Sequence, residues 1–208
     1  MEQAFPHVIT ARLKAHIEPM DRGEWYEDPL SDILEKKQMG EVTGGGSALG
    51  NDSKILFADL EIALANLETA LQLTRDCLEE IGVPAGSELI YEVEGEAKSI
   101  PFGNREIISI YLDGVGLPDE VYANADFDQI VSEISEAVAS RGTGEYRGFS
   151  QGETETALYI FAPSADSIYA ALQGVIAKHP LFQNARVVLK YLAPPKPERE
   201  LRIAMPQA

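Results

Sequence analysis

Residues 7–17 read His7-Val-Ile-Thr-Ala-Arg-Leu-Lys-Ala-His-Ile17, and apolar and polar side chains alternate along them. Alternation of this kind predicts a β-strand with one buried face and one exposed face. A similar segment, Arg105-Glu-Ile-Ile-Ser-Ile-Tyr-Leu-Asp113, follows about 98 residues later. The same offset separates other pairs of segments, which indicates an internal duplication.

Each half of the chain shows the order strand, helix, strand, strand, helix, strand. Apolar residues at helical spacing predict the helices, and alternating residues predict the strands. The predicted helices cover 28–37, 67–81, 126–140 and 165–179. The predicted strands that follow the first one of each half cover 40–47, 54–64, 87–93, 142–149, 155–162 and 185–192.

This order is that of the ferredoxin-like βαββαβ sandwich. The sequence therefore predicts an α+β protein with two tandem ferredoxin-like repeats, at 1–95 and 104–193, packed against each other as a pseudo-dimer. A short linker is expected between the repeats because Gly, Ser and Pro interrupt the periodicity there. The tail at 194–208 contains four prolines. Its alternating apolar residues allow an edge strand: Leu201, Ile203 and Met205.

Composition excludes several classes of protein. The chain has 208 residues, 45% of them hydrophobic, and a formal net charge of −17. Such a charge repels nucleic acids and anionic membranes. No apolar run reaches the roughly 18 residues of a membrane span, and the N-terminus does not have the pattern of a signal peptide, so we expect a cytoplasmic protein. The single cysteine, Cys77, excludes an intrachain disulfide.

No common catalytic motif is present: the sequence lacks HExxH, Gly-x-Ser-x-Gly, a Walker A lysine and a Rossmann fingerprint. The absence of these motifs favours a protein that is not an enzyme. A catalytic domain is the alternative. The three histidines, His7, His16 and His179, do not have the spacing of metal ligands. We therefore expect neither a metal nor a cofactor.

An acidic segment with two aromatic residues is the first candidate site. It consists of Glu24, Trp25, Tyr26, Glu27, Asp28 and Asp32. Aromatic anchors within an acidic rim are typical of surfaces that bind a basic protein. Residues 1–100 carry 8 basic and 20 acidic side chains, a net charge of −12, which is consistent with a basic partner. The alternative is a mobile acidic loop with no partner.

A glycine-rich stretch and two carboxylates form the second candidate site. It consists of Gly44, Gly45, Gly46, Ser47, Asp59 and Glu61, which we place at the mouth of a cleft between the repeats. Such a cleft suits a small-molecule-binding or catalytic domain. The alternatives are structural. The glycines form a hairpin or bulge with positive φ angles, and the carboxylates pair across strands with Arg12, Lys14 and His16.

The second half carries an apolar and aromatic face on its two central strands. Its members are Ile107, Tyr111, Tyr159 and Phe161. RNA-recognition domains stack bases on aromatic residues at such positions. The net charge of −5 after residue 100 argues against this use, because stacking without phosphate contacts is weak. We expect this face to be buried against the other repeat or a second subunit, and a homo-oligomer is one outcome.

The stretches Gly40-Glu-Val-Thr-Gly-Gly-Gly-Ser47, Asp59-Leu-Glu-Ile62 and Ile81-Gly-Val-Pro-Ala-Gly-Ser-Glu-Leu89 resemble a group of small uncharacterised bacterial proteins with a Gly-Glu-Val-Ser/Thr-Gly-Gly-Gly motif. The resemblance covers residues 40–90 and implies a bacterial source and a small α+β module. In size and acidity the chain is also similar to immunity proteins that neutralise basic toxins. The sequence thus predicts an acidic protein-binding module, with the cleft of a ligand-binding or catalytic domain as the alternative.

Overall fold

The computed structural model describes residues 5–50, 55–140, 142, 144–192 and 198–203. The chain divides into two compact units, Met1–Asn104 and Arg105–Ala208. Each unit contains one five-stranded antiparallel sheet and its own helices. Met205 and most of the proline-rich tail lie outside the described residues.

The first unit has the strand order β2-β3-β1-β4-β5. Its strands are β1 (His7–Leu13), β2 (Gly40–Leu49), β3 (Ile55–Leu64), β4 (Ser87–Val93) and β5 (Glu96–Phe102). Its helices are α1 (Pro19–Arg22), a π-helical turn (Gly23–Glu27), α2 (Asp28–Lys36) and α3 (Thr69–Ile81).

The second unit has the order β10-β9-β6-β8-β7. Its strands are β6 (Glu106–Asp113), β7 (Glu145–Gln151), β8 (Glu155–Ala162), β9 (Arg186–Lys190) and β10 (Arg199–Arg202). Its helices are α4 (Asp119–Ala123), α5 (Phe127–Ala139), α6 (Ala165–Lys178) and a 3₁₀ turn (Pro180–Phe182). Without its edge strand, each sheet has the order of the ferredoxin-like sandwich, so the predicted tandem ferredoxin-like fold is confirmed.

The buried faces follow the alternation in the sequence. Ile9, Ala11 and Leu13 of β1 are buried, and β3 lies antiparallel to β1 with Ala11 opposite Leu60. The second unit repeats the arrangement, because Ile108 and Ile110 of β6 belong to the core beneath α5 and α6. Burial of these faces by the helices supplies the main stabilising free energy of each unit.

Polar side chains near the start of two helices act as caps. The Asn66 Oδ1 accepts hydrogen bonds from the Thr69 and Ala70 N–H groups, and the Ser164 hydroxyl accepts one from the Ser167 N–H. Gly82 ends α3 in the left-handed region, with φ of 101°. These contacts satisfy backbone groups that have no partner within the helix.

The segment expected to be a linker is instead strand β5, paired with β4 along its whole length. Glu94 and Gly95 form the turn between them, both with positive φ, as a two-residue hairpin requires. The interruption at 95–104 is thus a hairpin and an edge strand of the first unit. In the second unit β10 occupies the equivalent edge, beside β9.

None of the helices described is long and apolar enough to cross a lipid bilayer.

Candidate functional site

The acidic segment lies on one helical stretch, from α1 through the π-helical turn to α2. Tyr26 is completely buried, and its hydroxyl donates a hydrogen bond of 3.1 Å to the Gly82 carbonyl oxygen. Its predicted role as a docking anchor is therefore wrong, because the helix directs the ring into the core. Trp25 is half-buried, whereas Glu24, Asp28 and Asp32 are exposed.

Arg22 connects residues from the two sites predicted separately. Its Nε donates to the Glu27 Oε1 at 2.5 Å, and its Nη1 donates to the Ser47 hydroxyl at 3.3 Å. The side chains of Arg22 and Glu27 are only 11% and 23% exposed. Glu27 and Ser47 are thus joined in one partly buried polar cluster that packs the helical segment against β2.

The three glycines lie within strand β2 and not in a loop. A bulge falls between Val42 and Gly44, as one of the structural alternatives predicted. The prediction of positive φ angles is wrong, because none of these three glycines has one. Glycines with positive φ lie elsewhere, for example at Gly82 and Gly86. Gly45 serves another purpose: a Cβ there would come within 2.5 Å of the Glu27 Oε1 and 2.7 Å of the Asp59 carbonyl oxygen.

Asp59 pairs across strands, as the structural alternative predicted. Both its oxygens accept hydrogen bonds from the Arg12 guanidinium, at 2.9 and 2.8 Å. The Arg12 guanidinium also lies 4.1 Å from the centre of the Phe57 ring. Asp59 raises the pKa of Arg12. Glu61 points to the same face, where it is exposed and accepts a long hydrogen bond from the Thr43 hydroxyl.

Two cavities are found within the second unit, and neither is lined by the predicted site residues of the first. The larger one, here called the polar cavity, has a volume of about 580 Å³ and lies where β6 and β10 end and β8 and β9 begin. It is lined by Tyr111, Asp113, Val115, Thr154, Glu155, Asn184, Arg186, Arg202 and Ile203.

One wall of the polar cavity is an arginine stacked on an aromatic ring. The Arg186 guanidinium lies 3.8 Å from the centre of the Tyr111 ring. Its Nη2 is 3.2 Å from the Glu155 Oε2, and its Nη1 is 3.9 Å from the Glu200 Oε2. Stacking and carboxylate pairing hold a guanidinium in a fixed orientation.

The lining of the polar cavity also contains a carboxylate held by backbone donors. The Asp113 Oδ1 accepts hydrogen bonds from the N–H groups of Val115 and Gly116, at 3.0 and 2.7 Å. These bonds lower the pKa of Asp113, so it is ionised at neutral pH. Asn184, with φ of 63°, donates to the other oxygen at 3.2 Å. A Cβ on Gly116 would come within 2.4 Å of that oxygen, so a larger residue there would displace the Asp113 carboxylate from this position.

The polar cavity thus presents fixed charges of both signs. Asp113 and Glu155 are acidic, and Arg186 and Arg202 are basic. Sequence analysis named Tyr111 in this group but only as part of an aromatic patch. The only local signal was Asp113-Gly-Val-Gly116, a turn sequence directly after a strand.

The aromatic patch itself is not a free surface. Tyr159 and Phe161 are buried, and the Tyr159 hydroxyl is 2.9 Å from that of Ser150. The Arg147 guanidinium lies 6.0 Å from the centre of the Phe161 ring. The aromatic rings are therefore engaged in contacts, including the stacking of Tyr111 with Arg186.

Within the described ranges, no group of three or more His, Cys, Asp or Glu side chains is placed to hold a metal ion. His16 Nδ1 contacts the Ile55 carbonyl oxygen, and His179 pairs with Glu133. Cys77 is buried, and burial raises the pKa of its thiol.

No known protein family matches the sequence, and no curated protein is similar to it. Solved structures that resemble this one include the regulatory subunit of aspartate kinase from Thermus flavus. The identity is 18%, the match covers 83% of this chain and 92% of that chain, and the TM-score is 0.25. Another is a mutant of chlorite dismutase from Candidatus Nitrospira defluvii, with 10% identity, coverage of 99% and 93%, and a TM-score of 0.30. Matches at these TM-scores assign no function, and the fold rests on the strand order.

Proposed function

We propose that this protein is a ligand-binding module and that its second unit binds a small zwitterionic molecule in the polar cavity. The observation that carries the proposal is that one cavity is lined both by the Arg186 guanidinium, stacked on Tyr111, and by the Asp113 carboxylate, held by backbone donors. A few convergent polar groups in a concave site are typical of small-molecule sites. The volume of about 580 Å³ is within the range of such sites.

The charges indicate where each end of the ligand would lie. An ammonium group would lie near Asp113 and Glu155, since both are carboxylates of the lining. A carboxylate would lie near Arg202, whose side chain is 75% exposed and reaches Glu200 at 3.2 Å. Arg186 keeps its pairing with Glu155 and supplies a second positive charge. A molecule with a single charge would interact with charged groups of only one sign in the lining, whereas a zwitterion would interact with both.

We expect a zwitterion to bind more tightly than either singly charged analogue. The probes are β-alanine, propylamine and propionate, titrated into the full chain and followed by ¹H–¹⁵N NMR. β-Alanine should shift the amides of Val115 and Asn184, with an affinity about tenfold above that of either analogue, because it alone pairs with both charges.

Arg202→Gln should weaken β-alanine about tenfold, the low end of the effect of losing one charge-assisted hydrogen bond, because the Arg202 side chain is exposed. Arg199→Gln is the matched control, because Arg199 lies on the same strand but pairs with Asp166 and is not part of the lining. Equal affinities for the three probes, or no shift at Val115 and Asn184, would refute the proposal.

The acidic helical segment supports a second candidate function, the binding of a basic protein. Glu24, Asp28 and Asp32 are exposed on successive turns of one helical stretch. Acidic side chains lie close together in this segment. Burial raises the pKa of Asp21, and so does the charge of the nearby Glu24. Inhibition of a basic toxin, as by an immunity protein, is the narrowest form of this proposal. Electrostatic steering by such a surface speeds association and weakens with salt.

Charge reversal tests this second function. The wild-type chain, immobilised and exposed to a bacterial lysate, should retain a basic protein at low salt and release it as the salt concentration rises. Glu24→Lys with Asp28→Lys should reduce retention at least tenfold. Asp119→Lys with Asp128→Lys changes the net charge equally, on exposed residues of the second unit, and should not reduce it. Equal retention by both double variants would exclude this surface.

A further inference from the structure

We infer that the second unit contains another ligand site, a mainly apolar cavity that accepts an organic amine with an aromatic or aliphatic body. This apolar cavity has a volume of about 350 Å³ and lies between α4, the start of α5 and the 3₁₀ turn after α6. It is lined by Glu120, Val121, Asn124, Ala125, Asp126, Gln129, Ile130, His179, Pro180 and Leu181. It shares no lining residue with the polar cavity.

The walls suit the body of the ligand. Val121, Ala125, Ile130, Pro180 and Leu181 contribute apolar surface, and Ile130 and Leu181 belong to the core of the unit. Because these residues belong to helices and a turn that pack on the core, the cavity is formed in the absence of a ligand. Transfer of a phenyl group from water to such a surface is favourable by about 25 cal/mol per Å² of apolar area buried.

The polar groups of the apolar cavity favour a hydrogen-bond donor. Glu120 and Asp126 are carboxylates, and no Lys or Arg belongs to the lining. Asp126 is fixed, because its Oδ1 accepts a hydrogen bond of 2.9 Å from the Gln129 N–H at the start of α5. Lys178, the neighbour of His179 in sequence, is paired with Glu133 at 2.5 Å.

His179 is held in place by a neighbouring carboxylate. Its Nε2 lies 2.9 Å from the Glu133 Oε2. Hydrogen bonds from Lys178, His179 and Gln129 lower the pKa of Glu133 to about 2, so this carboxylate is ionised and only accepts. An ammonium group supplies hydrogen-bond donors for the carboxylates of Glu120 and Asp126, whereas a carboxylate would meet like charges there.

Three probes separate the contributions of body and charge: phenethylamine, 3-phenylpropionate and ethylamine. Titrated into the full chain by ¹H–¹⁵N NMR, phenethylamine should shift the amides of Val121, Ile130 and Leu181. Its affinity should exceed that of 3-phenylpropionate at least tenfold, because the two differ in the sign of the charge. Ethylamine should bind at least tenfold more weakly than phenethylamine, because it lacks the apolar body.

Two variants test the assignment. Glu120→Gln should weaken phenethylamine about threefold, whereas Glu136→Gln, an exposed glutamate of α5 outside the lining, should not change its affinity. Ala125→Leu should abolish phenethylamine binding by filling the cavity. If Ala125→Leu does not fold, the affinity of Glu120→Gln still tests the assignment. The inference fails if amine and acid bind within twofold of each other, if no probe binds, or if the shifts map to Val115 and Asn184 of the polar cavity.

Discussion

Tyr26→Ala should lower the free energy of unfolding by about 3–5 kcal/mol, the range for removing a large buried side chain. The ring is completely buried, and its hydroxyl bonds the Gly82 carbonyl oxygen at the end of α3. The substitution would therefore leave a cavity between the helical segment and α3, and a carbonyl group without its partner. Urea denaturation followed by the fluorescence of Trp25, the only tryptophan, would report on the first unit.

Two variants separate the causes of this loss. Tyr26→Phe keeps the ring and should cost only about 1 kcal/mol, the net value of one hydrogen bond. Met20→Ala, at a side chain 87% exposed, should stay within about 0.5 kcal/mol of the wild type. A small loss of stability for Tyr26→Ala, together with reduced retention of a basic protein, would restore Tyr26 as a docking residue.

The helical spacing of apolar residues in the sequence already indicated that Tyr26 is buried. Tyr26, Leu30 and Leu34 are spaced by four residues and are all completely buried. Pro29 concealed the pattern, because proline is common in the first turn of a helix and so indicates a helix that begins near Asp28. The π-helical turn at Gly23–Glu27 continues the helix past that point. The helix predicted at 28–37 thus began at the right residue, but the prediction left Tyr26 outside it and therefore in the wrong environment.

Alternation predicted those strands that have one buried face, and it missed β5. Glu96, Lys98 and Ser99 are exposed on an edge strand, so no buried face imposes a period of two on this segment. Patterning detects burial rather than backbone pairing. The same limit explains why a hairpin was interpreted as a linker.

The polar cavity depends on strand order and register, which local patterns do not specify. Asp113, Glu155, Arg186 and Arg202 come from four strands far apart in sequence. They meet because β10, β9, β6 and β8 are neighbours in the sheet and because Tyr111 is opposite Arg186. The pairing of Arg12 with Asp59 was predictable, since the ferredoxin-like order places their strands side by side. A site assembled from four strands requires the register of every pair.

Substitutions in Gly44-Gly45-Gly46 should have unequal effects, although the sequence shows three identical residues. Gly45 is opposite the buried Leu60, and the side chains of Glu27 and Arg22 lie beside it. A Cβ at Gly45 would meet the Asp59 carbonyl oxygen at 2.7 Å. The Glu27 side chain can move away, but this backbone atom of the neighbouring strand cannot move without shifting the sheet. Gly45→Ala should therefore cost about 1–3 kcal/mol, as overpacking does.

The neighbouring glycines provide matched controls for this argument. A Cβ at Gly44 or Gly46 meets nothing within 4 Å. Gly44→Ala and Gly46→Ala should therefore be neutral or stabilise by up to about 1 kcal/mol, because alanine reduces the entropy of the unfolded chain. Urea denaturation of the three single variants, followed by Trp25 fluorescence, measures the difference. Three equal losses would mean that the motif is needed for its backbone freedom, whereas a loss confined to Gly45→Ala would assign it to the close approach of Gly45 to the Asp59 carbonyl oxygen.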